Sequence, residues 1–284
     1  MATYASHDTA TNEDDADTLT ITKPSGLAAG DFMIAVLGMS GDNAVTWALT
    51  GWTELVTLAA SNILTSVLYK VADADDAAAT NFAFTHSNGG TASRAGILYR
   101  ITGTFAGAAN LTYDGFDAVG ADATPEYTTG VTPAGTTALL IMGAVTSTAA
   151  TTSSTYAVAN NNPTWTERGD LSVDGTADIT LSSATGSYTV GTTTGTYSLT
   201  LSGAVTSRGY IVSISDNENV TPTPAVITAT ATIPAPTVTG GATASPSVIA
   251  ATSTVNAPTV TTAAPDWSNT DKSAAPSWVN TTKS

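Results

Sequence analysis

The chain has 284 residues, 42% of them hydrophobic and only 11% charged, with 23 acidic against 8 basic side chains and a formal net charge of −15. That balance argues against nucleic acid and against an anionic membrane surface, which need clustered Lys and Arg; here the bases stand singly, as at Lys23, Lys70, Arg94, Arg100, Arg168 and Arg208. Cysteine is absent, which rules out disulfides, thiolate metal sites and a cysteine nucleophile.

Met1 to Asp8 form neither a basic nor an apolar leader segment, and no apolar run nears the roughly 18 residues of a membrane span. The expectation is a protein made in a cytoplasm that stays soluble, or leaves by lysis or assembly. Abundant Thr with few Lys, Glu and Leu favours strands over helices.

In chain order, residues 1–17 read as a short arm, with room for a strand at Thr3-Tyr4-Ala5 and an acidic loop from Asn12 to Asp17. Leu19-Thr20-Ile21 alternates and predicts a paired strand. Asp31 to Met39 is nearly all apolar and ends at Ser40-Gly41-Asp42-Asn43, which predicts a strand buried on both faces. Trp52 to Leu58 and Ser66 to Val71 read as further strands. Ala72 to Ala79 fits either one helical turn or a polar loop. Phe82 to His86 alternates with both Phe on one face, and Asn88-Gly89-Gly90 is a turn. Strands follow at Gly96–Thr102 and Leu111–Phe116. A second block, from about Tyr127 to Ser215, holds the apolar run Ala138 to Met142 and the alternating stretches Ile179-Thr180-Leu181 and Tyr197 to Leu201. No stretch of a dozen residues has helical periodicity.

The two blocks share an order of events. An apolar run is followed by Trp-Thr-Glu (Trp52 to Glu54, then Trp165 to Glu167), and each block closes on a second apolar run beside an arginine, Arg94 or Arg208. This predicts an internal duplication, with pseudo-repeats at about 18–104 and 127–216 of an all-β, β-sandwich or jelly-roll-like body spanning 1–219. Pattern alone leaves two sandwiches or one interleaved sandwich open, but no linker separates the blocks and a single all-β domain is the expectation.

Thr221-Pro222-Thr223-Pro224 cannot lie in a central strand and marks a linker. Residues 225–265 carry no charged and no aromatic side chain and repeat loosely around Pro, so 220–284 is expected to be an extended low-complexity tail rather than a core. Near its end Trp267, Asn269 and Lys272 recur eleven residues on as Trp278, Asn280 and Lys283. Each unit offers one large aromatic anchor, one amide and one ammonium, and docking onto a neighbouring subunit or partner is the expected use.

Signs of catalysis are few. His7 and His86 are the only histidines, and His86 reads as a solvent-exposed residue of an edge strand. No nucleophile elbow, phosphate loop or metalloprotease motif is present. The acidic groups Glu13/Asp14/Asp15/Asp17, Asp73/Asp75/Asp76 and Asp170/Asp174/Asp178 could hold Ca²⁺, but read better as solvated loops. No cofactor, metal or catalytic residue is therefore assigned. Trp52 and Trp165 read as core or inter-sheet packing; as exposed rings they, or Trp47, would suit sugar stacking.

Gly30 to Val36, Gly51 to Leu55, Leu68 to Ala72 and Gly96 to Arg100 resemble a pattern common in structural proteins of tailed bacteriophages, and the tail resembles the tails of the same group. The resemblance implies a virion protein without catalytic residues: an accessory capsid or decoration protein, or alternatively a tail or fibre protein that binds host carbohydrate. It would be localised in the virion, assembled in the host cytoplasm, with other capsid or tail subunits as partners and with self-association expected.

Overall fold

The structure is a computed structural model. It describes residues 1–215 except 14–16, 41–45, 61, 87–91, 106–110, 129, 176 and 190–191. The tail residues Trp267, Asn269, Lys272, Trp278, Asn280 and Lys283 and the turn Asn88-Gly89-Gly90 lie outside the described residues.

The first half contains β1 (Thr3–Asn12), β2 (Thr18–Thr22), β3 (Phe32–Ser40), β4 (Trp47–Ala48), β5 (Thr53–Ala60), β6 (Ile63–Val71), the short helix α1 (Ala74–Ala78), β7 (Asn81–His86) and β8 (Ser93–Thr102). The second half contains β9 (Leu111–Asp122), β10 (Glu126–Tyr127), β11 (Ala138–Thr146), β12 (Ser153–Val158), β13 (Trp165–Val173), β14 (Ile179–Tyr188), β15 (Tyr197–Leu201) and β16 (Val205–Ile214). The sheets run β1-β8-β3-β6-β5 with β2-β7-β4, and β9-β16-β11-β14-β13 with β10-β15-β12. Adding eight to each strand number of the first half reproduces the second. The duplication is therefore one of topology as well as of sequence. Each half has the jelly-roll order, modified in that its fifth strand stays in the larger sheet beside the sixth.

Three apolar clusters show how the sheets stack. Met33, Ala35 and Leu37 of β3 pack with Leu19 and Ile21 of β2 and with Phe82 and Phe84 of β7 inside the first sandwich. Leu140 and Met142 of β11 pack with Tyr127, Tyr156 and Tyr197 inside the second. The opposite faces of β3 and β11 meet each other: Phe32, Ile34 and Val36 share a cluster with Leu139, Ile141 and Val145. The two jelly rolls thus stand back to back through their five-stranded sheets, four layers deep within one compact unit. This is why β3 and β11 are buried along their whole length. A five-stranded sheet with an apolar residue at nearly every position of its central strand needs cover on both sides.

Three expectations are corrected. Residues 1–17 are not an arm: β1 spans ten residues and pairs with β8 from Thr3↔Thr102 to Asn12↔Arg94. His86 is not exposed on an edge. It lies on β7, the central strand of its sheet, is 6% exposed, and accepts a 2.7 Å hydrogen bond at Nε2 from Arg94 Nε. The acidic stretch at Asp73 is not simply a solvated loop. Asp73 caps α1 in a reciprocal capping box with Asp76, and Lys70 Nζ bridges Asp73 at 3.0 Å and Asp76 at 2.7 Å. Backbone hydrogen bonding from Asp76, then Lys70, holds the Asp73 carboxyl at about 2.

Candidate functional site

Two concave regions border β13, the edge strand of the second large sheet, and a β-bulge in this strand shapes both. The pairing of β13 with β14 slips between Glu167 and Gly169, so Arg168 is the extra residue. In a regular strand, residues 165, 167, 169 and 171 would share a face. The bulge instead places Trp165, Glu167 and Asp170 toward the outer sheet, and Thr166, Arg168 and Leu171 toward the first half. The pairing of β5 slips at the corresponding place, between Glu54 and Val56. There Leu55 stands in place of Arg168, and Thr57 in place of Asp170. The two halves thus share the kink but differ in what it presents.

On the inner side, Arg168 crosses to β1. Its guanidinium lies over the Tyr4 ring at 3.5 Å, and its Nε donates to Thr185 Oγ1 at 2.7 Å. Tyr4 Oη is 2.7 Å from His7 Nδ1, and the His7 ring lies 5.8 Å from that of Tyr99. Burial first, then the Arg168 charge, lowers the His7 pKa below the ordinary histidine value. The cavity here is about 220 Å³ and is lined largely by threonines and backbone. Its one cation is already seated on an aromatic ring, so these groups read as a seam between the halves.

The outer cavity is larger, about 370 Å³, and opens between the edge strands β12 and β13. Its lining is Ser154, Thr155, Tyr156, Asn162, Pro163, Trp165 and Glu167. The indole is half-buried and stands across from Gly186 of β14. A Cβ at Gly186 would come within 3.1 Å of the indole and 2.8 Å of Pro163, so only glycine lets the ring lie flush on that strand. Asn162 Oδ1 accepts from Trp165 Nε1 at 2.8 Å and from Val158 N at 3.1 Å, which fixes the plane of the ring. Opposite, β12 also bulges, with Thr155 at φ 52°. Tyr156 packs its ring 6.4 Å from the indole and hydrogen-bonds Ser153, whose Oγ and N both donate to Asp170 at 2.9 Å. Glu167, beside this network, has its pKa raised by desolvation, then by the neighbouring Asp170 charge and the hydrogen bond to it.

The equivalent Trp52, like Trp165, is half-buried and packs against the core cluster of its own half. Its ring stands edge-on to Phe82 and Phe84 at 5.8 and 5.1 Å, packed onto the first core. The ladder of the first half begins one residue later, at Thr53 across from Tyr69, and Lys70, next on β6, is tied to α1. Trp47 is 2% exposed against His86, so it presents no platform. Of the other acids singled out, Asp178 accepts from Gly175 N at 3.3 Å within its loop. Among the described residues no group of three or more His, Cys, Asp or Glu side chains is placed to hold a metal ion. No helix of the described residues is long and apolar enough to cross a membrane. Tyr156, Asn162 and Asp170 had no sequence signal as a set: a bulge in each of two strands, invisible to a period-2 reading, brings them together.

No protein-family model, curated protein or solved structure matches the chain.

Proposed function

We propose that the chain is a non-enzymatic structural protein of a tailed-phage virion, an accessory capsid protein that docks onto its neighbours through residues 220–284. The observation that carries this reading is the duplicated jelly roll. Two jelly-roll-like sandwiches pack back to back through a shared apolar cluster, the jelly roll recurs in viral capsid proteins, and the step from fold to role is one of analogy. Several buried polar groups are committed to structural partners, which supports it. His86 serves Arg94, Asp76 serves Lys70 and α1, and Tyr99 serves Ser183. Both oxygens of the Asp170 carboxylate are taken up by Ser153, at 2.9 Å from its N and from its Oγ. The repeated Trp, Asn and Lys of the tail are suited to anchoring, and the acidic, Thr-rich body to an exposed surface.

Removing residues 221–284 tests the docking claim. The truncated body is expected to fold, because it keeps all three apolar clusters, and to be missing from assembled particles. Truncated protein decorating particles at normal occupancy would overturn the docking role.

A further inference from the structure

From the geometry around Trp165 we infer that the cavity between β12 and β13 is a binding site for a neutral, hydroxyl-rich saccharide, with one pyranose ring stacked on the indole. This inference is independent of where the protein sits in a virion. Three features carry it.

The first is the platform. One side of the indole is laid on Gly186 and held in plane by Asn162, while the ring also lines an open cavity of about 370 Å³. A rigid, partly exposed aromatic ring offers a flat apolar surface at little entropic cost, which suits the C–H face of a pyranose.

The second is the polar rim. Asn162 accepts the bonds from Val158 N and Trp165 Nε1 at its Oδ1, and among the described residues its amide nitrogen has no protein partner. That nitrogen is a donor, the exposed Glu167 carboxylate an acceptor, and the Ser154 and Thr155 hydroxyls serve as either. Donors and acceptors on one edge of a stacking ring match vicinal hydroxyls. The carboxylates and the net charge of −15 select against an anionic sugar.

The third is divergence between the repeats. The corresponding Trp rings both pack against the core cluster of their own half, and that of the second half also borders the cavity. In the second half Gly186 stands across from the Trp, and Asp170 stands where the first half has Thr57. A packing role for Trp165 alone would leave the added bulge at Thr155 and the buried Ser153–Tyr156–Asp170 network without a use.

The test is titration of the full chain with cellotriose, maltotriose and lactose, followed by tryptophan fluorescence and by proton NMR saturation transfer. At least one sugar is expected to bind saturably with Kd near the millimolar range. Trp165→Ala should weaken that binding about tenfold or more, Glu167→Gln several-fold, and Trp52→Phe not at all. Saturation transfer should fall on the C–H protons of one ring. If Trp165→Ala fails to fold, Glu167→Gln decides alone, because its side chain is exposed. No saturable binding up to about 10 mM, or binding unchanged in Glu167→Gln and Trp165→Ala, overturns the site.

Discussion

The phenol of Tyr99 donates a 2.6 Å hydrogen bond to the hydroxyl of Ser183, from β8 of the first half to β14 of the second, with both residues fully buried. It is a polar tie inside a largely apolar interface, and losing one partner strands the other away from water. Tyr99→Phe and Ser183→Ala should each destabilise the protein by about 1–2 kcal/mol. In the double variant the cost should be clearly less than the sum. Urea unfolding of the four proteins measures this, and strict additivity would contradict the tie.

The same burial has a consequence at high pH. Desolvation pushes the phenols of Tyr99, Tyr156 and Tyr210 well above the ordinary tyrosine value. The folded state favours their neutral form, so this contribution is complete below about pH 10 and is lost as pH rises further. Alkaline titration at the phenolate absorbance should show these three silent until the protein unfolds cooperatively. Their smooth ionisation in a protein that keeps its strand signal would contradict the buried placement.

His7 acts in the acid direction. Its folded pKa lies below the ordinary histidine value because of burial and Arg168. Stability is therefore full above about pH 6.5 and falls as pH drops from there toward the folded value, as the unfolded chain takes up the proton first. His7→Gln should flatten the melting temperature in that window while leaving the slope above pH 7 unchanged. An identical acid slope in the variant would contradict the assignment.

The strands legible in the sequence were those whose side chains carry an unambiguous period. Phe32 to Met39 reads as doubly buried because both faces are apolar, and that was already a sign of a second covering layer. Phe82 and Phe84 alternate cleanly against Thr and Asn. By contrast β1 is polar at most positions, because its exposed face is solvated and its inner face is used by Tyr4 and His7, so it read as an arm. β14 was legible only at Ile179-Thr180-Leu181. Beyond that it is buried with Ser182, Ser183 and Thr185, and the Ser183 and Thr185 hydroxyls accept from Tyr99 of the other half and from Arg168, seventeen residues away. The outer cavity was half legible: Trp-Thr-Glu stood out, but the bulges that gather Asp170 and Tyr156 around it leave no mark on composition.

Gly143 is a second such silent feature. On β11, a Cβ there would fall 1.9 Å from the Ser182 carbonyl oxygen and 2.5 Å from Tyr210 Oη, which itself donates to that carbonyl at 2.8 Å. Gly143→Ala should cost about 3 kcal/mol through overpacking. At Gly120 nothing lies within 4 Å of an added Cβ, and Gly120→Ala should be close to neutral. Thermal melts of the two variants separate them, and equal melting temperatures would contradict the close approach of Tyr210.

His86 and Arg94 give a comparable internal test. The buried Arg94 Nε–H points at His86 Nε2, so His86→Ala removes an acceptor from a buried cation and should cost about 2–3 kcal/mol. A variant as stable as the parent in urea would contradict the pairing.

The structural role itself is tested most directly by a cryo-EM map of the purified virion. A capsid accessory protein requires density for two back-to-back jelly rolls at repeating lattice positions on the outer capsid surface, joined to it by an extended connection. Particles whose map and mass spectrum both lack the chain would contradict a virion role. The same density confined to the tail tip would contradict the capsid assignment in favour of a fibre.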